Sequence, residues 1–456
     1  MKISRAVGVV GLTMGWTLGG LVATGRADAA EKRPLYAGWA SADITPQRPV
    51  ALVGQLHKRI STGVRDPLTA TALALETRDE AGGNEQAILI SCDVVFIQQA
   101  VTERLRERLK SKIADFDVRK LVLNATHTHT APGFLDDTFY DLYDVSHDEG
   151  VMRASEYAEF FLERVAGAAV EAWQNRKPAA TGWGLGFAAV GRNRRAQYFD
   201  GSAAMYGATD REDFASIEGY EDPGVEMLFF RAPDGRLTGI VINVACTSQE
   251  TENLNEISAD FWHDVREELR RRLGEDVFVL PQCGAAGDLS PHLLYRKQAE
   301  QIMTERRGLS RRQEIARRIA DAVEDVLPLA KKDLAGEVLF RHTVAEASLP
   351  PHEPPAPPFY RTDPIDPIEF HVLRLGDVAV ATNPFELFHD YGVRIKARSP
   401  ATLTLLVQLS CNNCGYLPTE KAVRGGGYSA DKFIVGPTGG QVLVNETVKR
   451  IEALWK

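Results

Sequence analysis

The sequence predicts an α/β fold, a single large domain with mixed central sheets flanked by helices and a site at strand ends. Three observations predict it. Short apolar runs alternate with amphipathic stretches along the whole chain. Residues 87–123 read as strand, helix and strand, a βαβ unit that makes at least one strand pair parallel. No internal repeat and no linker-like break divides the 456 residues, which are enough for one large core.

The elements follow from local pattern. Residues 39–46 read as a strand entering a turn at Pro46, and 69–76 as a second strand. Residues 87–91 form a buried strand followed by Asp93, and 97–113 a crossover helix with one charged face. The run 121–123 is a short buried strand. Residues 136–150 are an acidic, aromatic loop, 156–174 an amphipathic helix, and 181–190 a Gly-rich strand. Residues 192–222 read as an irregular, lid-like insertion. Strands at 226–231 and 237–245 join at Pro233-Asp234-Gly235, a hairpin turn. A helix at 264–273, a strand at 277–280 and a helix at 312–327 come next. The Pro-rich stretch 349–367 reads as a wrapping segment. A strand at 369–381, a helix at 387–397, a strand at 403–409 and a helix at 442–454 complete the chain.

Residues 1–30 are expected to be a secretory signal peptide. Lys2 and Arg5 precede an apolar stretch, and Ala27-Asp28-Ala29 offers a small-x-small cleavage site. Residues 31–456 then form the domain, secreted or periplasmic, with no later stretch apolar enough to span a bilayer. Loss of Lys2, Arg5, Arg26 and Asp28 takes the net charge from −9 to −11. So acidic a chain is a poor partner for nucleic acid or an anionic membrane surface. Oligomeric state is not encoded in these features. Five cysteines in so long a chain do not make a disulfide scaffold. Cys92 reads as an apolar filler. Cys411-Asn-Asn-Cys414 allows a local disulfide, half a metal knuckle or two independent thiols.

One stretch carries the clearest chemistry: Lys120-Leu-Val-Leu-Asn-Ala-Thr-His127-Thr-His129-Thr-Ala-Pro132-Gly133. In extended chain, residues two apart point the same way, so both imidazoles can face one point. The Pro-Gly turn puts them at a strand-to-loop corner, where open sheets place functional groups. Neutral imidazole is the commonest metal ligand, so this is a candidate metal site. The overlapping Asn124-Ala-Thr126 sequon falls at a buried strand end and is read as fortuitous.

Partners for the pair are sought at other strand ends. Cys246 follows a strand, His263 opens a helix, and Glu386 stands where a strand gives way to a helix. Tyr416 lies in a loop after a strand. Gly287-Asp288-Leu289-Ser290-Pro291 follows a strand and a Gly-rich bend, where backbone amides and a hydroxyl suit an oxyanion. Asp288 and Ser290 are therefore candidate catalytic residues, although either could instead cap the next segment. No Gly-Lys-Ser/Thr is present to suggest a phosphate loop.

Taken in order, these motifs resemble the catalytic domain of the neutral/alkaline non-lysosomal ceramidase family over about residues 36 to 430. Asp43-Ile44-Thr45 resembles its opening, and Thr126-His-Thr-His-Thr-Ala-Pro-Gly133 its signature. Asn193-Arg194, Gly287–Pro291, Pro384-Phe-Glu386, and the pair Tyr416 and Tyr428 resemble later site motifs. The resemblance implies a zinc amidase. It implies zinc held by His127, Glu386 and Tyr416, with His129 handling protons, Ser290 essential, and Arg194 and Tyr428 on the substrate side. At the place of the family's second zinc histidine the chain reads Cys246-Thr-Ser248, so either Cys246 or a swung-in His263 is the expected replacement; otherwise His263 is a substrate-side residue. The chain ends soon after the matched motifs, without the family's C-terminal β-sandwich. The substrate expected is a small-molecule or lipid-like amide, not necessarily ceramide. An ester is the alternative bond. An amidohydrolase barrel fits less well, because several strands precede His127. The remaining alternative is an inactive exported binding protein on the same fold.

Overall fold

The structure, a computed structural model, describes residues 31–78, 84–136, 142–351 and 366–456. The expected signal peptide, most of the Pro-rich stretch 349–367 and part of the loop 136–150 lie outside the described residues.

Three sheets succeed one another along the chain. In the first, β1 (Arg33–Asp43), β2 (Thr69–Arg78) and β3 (Asn84–Cys92) run antiparallel. Helix α1 (Gln99–Lys110) then crosses over to β4 (Leu121–Ala125), which pairs parallel with β3, and α2 (Ala154–Gln174) follows. The second sheet repeats this connectivity. Strands β5 (Ala180–Phe187), β6 (Gly224–Arg231) and β7 (Leu237–Val244) are antiparallel, α3 (Phe261–Leu273) crosses over, and β8 (Phe278–Cys283) pairs parallel with β7. Helices α4 (Lys297–Arg307) and α5 (Arg311–Ala330) follow, α5 starting from a Ser310–Gln313 capping box. The third sheet has antiparallel β9 (Phe340–Ala347), β10 (Ile368–Leu375) and β11 (Val378–Thr382), then α6 (His389–Arg398), then β12 (Leu403–Val407) parallel to β11. Helices α7 (Glu420–Gly425) and α8 (Pro437–Leu454) end the chain.

The sequence showed no repeat because the repetition is one of connectivity. Intervening loops differ in length, so no fixed period survives. Other departures are local. The strand expected over 369–381 is the hairpin of β10 and β11, turned at Gly376, whose φ of 62° suits glycine. Only Gly376-Asp377 separates the two arms, too short a break to stand out in the sequence. Strand β9 and helix α4 were not expected. The insertion 192–222 is more regular than its composition suggests, holding an antiparallel sheet of Arg195–Tyr198, Ala203–Met205 and Phe214–Ile217.

Strand side chains alternate between two apolar environments, which explains the continuous apolar runs. One set faces a core shared by all three sheets: Leu35, Ala37 and Trp39 of β1 meet Phe230 of β6, Leu280 of β8, Leu373 of β10 and Leu405 of β12. Trp39 stacks on Phe278 at 5.7 Å and meets Phe230 edge-on at 5.6 Å. The other set is covered by helices: α1 and α2 over the first sheet, α3 and α5 over the second, α6 and α8 over the third.

This arrangement positions the site. In each sheet the third and fourth strands are parallel, so their C-terminal ends share a side. Six segments leave from those ends, and hydrogen bonds tie them together. Ser248 Oγ donates to the Thr126 carbonyl at 2.8 Å, the Ala286 amide to Gln408 Oε1 at 2.9 Å, and the Cys411 amide to the Leu123 carbonyl at 2.7 Å.

Candidate active site

The Thr-His-Thr-His-Thr ladder leaves β4 and is fixed by its threonines. Thr126 Oγ1 donates to Asp93 Oδ1 at 3.3 Å, and Thr128 and Thr130 hydroxyls donate to the Ser258 carbonyl at 2.8 and 3.0 Å. Asp93 is held in turn by both terminal nitrogens of Arg266, at 2.7 and 3.1 Å, in a buried pair joining the first sheet to α3. Between these anchors His127 adopts a left-handed φ of 65°, a strained state for a non-glycine residue that clusters at functional sites.

That strain aims the ring. His127 Nδ1–H donates to the Val95 carbonyl at 2.7 Å, which leaves Nε2 as the free lone pair. Nε2 lies 3.5 Å from Glu386 Oε2 and 3.3 Å from His129 Nε2. Glu386 Oε2 is buried and has no hydrogen-bond partner among the described residues. Glu386 and Tyr416 are register partners in a short parallel pairing of Glu386–Leu387 with Tyr416–Leu417. Gly287 makes room for this pairing, since a Cβ there would come within 2.4 Å of the Glu386 carbonyl.

Arg194 fills one wall, buried and hydrogen-bonded to Tyr416 Oη at 3.3 Å, Tyr206 Oη at 3.3 Å, the Gly287 carbonyl at 2.9 Å and Gln249 Oε1 at 3.1 Å. Burial alone would lower its pKa, but the Tyr206 and Tyr416 phenols and Glu386 hold it well above its usual range. Tyr428 meets Tyr416 edge-on at 5.8 Å, and burial pushes its phenol to about 12. Ser290 is buried and bonds the Tyr206 hydroxyl and the His292 amide.

His129 completes the cluster. Gln249 Nε2 donates to its Nε2 at 3.0 Å, and Glu252 Oε2 lies 3.5 Å from its Nδ1. Gly54 packs its backbone on the ring, where a Cβ would come within 2.5 Å. Burial lowers the pKa of His129 well below its usual value, and His127 and Arg194 add to this; burial lowers His127 too. Both imidazoles are therefore neutral, the form that ligates metal or accepts a proton.

Eight residues anticipated from sequence stand here. His127, His129, Glu386, Arg194, Tyr416, Tyr428 and Ser290 share one network, and Asp288 borders it. Asp288 has both carboxylate oxygens engaged: Oδ2 accepts from Asn193 at 2.8 Å and Oδ1 from the His389 amide at 2.7 Å. Cys246 and His263 stand apart. The Cys246 thiol belongs to the apolar cluster beneath the second sheet, contacts the Thr247 carbonyl at 3.4 Å, and is pushed well up in pKa by burial. His263 lies half-buried on the first turn of α3. Gln249, Glu252, His292 and Tyr206 went unnoticed in the sequence. They are single polar residues in loops, and only the fold brings them to His129.

Among the described residues a second cluster has metal-compatible geometry. Glu369 and His371 of β10 and Cys411 after β12 place a carboxylate oxygen, an imidazole nitrogen and a thiol within 4.8 Å of one another. Its groups are already partnered. Arg106 forks onto Glu369 at 2.6 and 3.0 Å, and His371 bonds Glu369 at 3.0 Å and His342 at 2.9 Å. The Cys411 thiol lies 3.7 Å from His371. All five cysteines are free thiols, so Cys411 and Cys414 form no disulfide with each other.

No protein-family model matches the chain. Its sequence is 26% identical over 280 residues to the neutral ceramidase of Pseudomonas aeruginosa, a match covering 58% of this chain and 38% of that relative. A solved neutral ceramidase structure from Pseudomonas aeruginosa superposes with a TM-score of 0.68 at 19% identity, covering 92% of this chain and 75% of that one. A structure described as ceramidase complexed with C2 gives 0.68 at 17% identity, covering 93% and 75%. The fold is thus the one seen in the solved neutral ceramidase structures. Within it, the sequence is consistent with a divergent member.

Proposed function

We propose that this chain is an exported, zinc-dependent hydrolase of the neutral ceramidase type that cleaves an N-acyl amide bond. The observation that carries this reading is the unpartnered, buried Glu386 Oε2 facing His127 Nε2 at 3.5 Å. Leaving a buried carboxylate oxygen without a donor is costly, which suits a cation between the two groups. Donors held at about 2.1 Å from a tetrahedral zinc stand about 3.4 Å apart, so the pair fits that ion. Tyr416, register partner of Glu386, would be the third ligand. Three protein ligands with one open position is the pattern of catalytic zinc, and it requires neither Cys246 nor His263. Zinc, when bound, would polarise the scissile carbonyl and lower the pKa of water.

The chain's own groups would do the rest. Neutral His129 would accept the proton of the attacking water and return it to the leaving nitrogen. Arg194 and the Ser290 hydroxyl would face the developing oxyanion. Ser290 contacts a phenol and an amide, not a base, which favours the donor role over that of nucleophile. Export rests on the N-terminal segment described above. The test is hydrolysis of short N-acyl amides by the purified mature protein, before and after chelation and with zinc restored. Turnover lost on chelation and recovered with zinc supports the reading. Turnover indifferent to chelation, or absent from every acyl amide and ester, overturns it.

A further inference from the structure

A cleft of about 530 Å³ opens on the His129 side of the site. Its inner wall is Tyr206, whose hydroxyl bonds Arg194 and Ser290, together with Glu252 and His292. Its outer wall carries Glu250, Arg311 and Lys297. The charges there are unequally committed. Glu252 Oε1 is paired with His292 at 2.9 Å, and Glu250 Oε1 with Arg311 at 2.9 Å. Lys297 is exposed on the first turn of α4 and makes no ion pair among the described residues. Beside these two pairs, Lys297 is the uncommitted cation at the rim of a cleft in an otherwise acidic protein.

We infer that this cleft is the leaving-group subsite and takes a small amine bearing a carboxylate, so that the substrate is an N-acylated amino acid. The inference rests on the hydrolase reading of the His127 centre and extends it to substrate class. The amine half is assigned to this side because His129, the group that would protonate the leaving nitrogen, abuts Glu252 of the cleft wall at 3.5 Å. Water would add its hydroxyl to the acyl carbon and its proton to the departing nitrogen as the C–N bond breaks. The carboxylate carried by the departing amine would then face Lys297.

The test uses N-acetyl-L-phenylalanine and its uncharged carboxamide, with binding measured by calorimetry and acetate release measured in parallel. The wild type should bind the acid more tightly than the carboxamide. Lys297→Ala should weaken binding of the acid by about tenfold, the scale of a charge-assisted hydrogen bond, and leave the carboxamide within about twofold. Lys297→Glu should reverse the preference. Equal binding of both compounds, no binding of either, or indifference to Lys297→Ala overturns the subsite. Lys297-dependent binding without acetate release, and with no turnover of any other acyl amide or ester, would sustain the subsite and refute the hydrolase reading. Release of acetate from both compounds regardless of Lys297 would do the reverse.

Discussion

His127 Nε2 and Glu386 Oε2 stand 3.5 Å apart, one at the end of the first sheet and the other at the end of the third. Among the described residues the carboxylate oxygen has no donor, and the imidazole is turned toward it by a strained backbone and the Val95 carbonyl. Such a pair is a cost to the fold that a cation would offset. Glu386→Gln should therefore leave the metal-free protein as stable or more so, raising its Tm by up to a few degrees, while abolishing metal-dependent turnover. Calorimetry of both chelated proteins checks the first part. A fall in Tm of the chelated variant would show that Glu386 is satisfied in some other way.

Gly54 should be intolerant of a side chain. Its φ is 117°, and a Cβ would press within 2.5 Å of the His129 ring. Gly54→Ala should displace the imidazole and lower kcat by about 100-fold, the scale expected of a misplacement near 1 Å. Circular dichroism should remain native. Unchanged kcat would remove His129 from the reaction.

The Arg266–Asp93 pair holds the ladder from behind. Both side chains are buried, and removing one partner strands the other charge. Arg266→Ala should cost about 3–5 kcal/mol in denaturant unfolding. A loss below about 1 kcal/mol would mean that water reaches Asp93.

Acid stability should report the other cluster. Burial pushes the Glu369 carboxyl up, but His371 and Arg106 overcome this and hold it at about 2. The folded value lies below the unfolded value of about 4.3, so the stabilisation is present above pH 4.3 and is lost as pH falls toward 2. Stability should drop by about 1–3 kcal/mol across that window. Glu369→Gln should be less stable at neutral pH and show a shallower slope between pH 4 and 2. Parallel curves for the two proteins would contradict the pairing.

What the sequence revealed and what it hid have physical causes. His127, His129 and Glu386 were legible because each sits just past an apolar run, and Tyr416 because it stands in the loop after one; parallel strands bring such ends to one side. Cys246 also follows a strand, yet its thiol joins the apolar cluster under the sheet. Sequence position fixes where a residue leaves the strand but not which way its side chain turns. Gln249, Glu252 and His292 carry no spacing signal and were invisible. The threefold connectivity was equally hidden, because strand order is set by pairing rather than by period.

Metal analysis of the purified mature chain, with variants at both clusters, is the most direct measurement. About one zinc per chain is expected, lost in His127→Ala and Glu386→Gln and retained in Cys246→Ser and Glu369→Gln. Zinc that survives Glu386→Gln but disappears in Glu369→Gln or Cys411→Ser would place the metal away from His127 and contradict the proposed site.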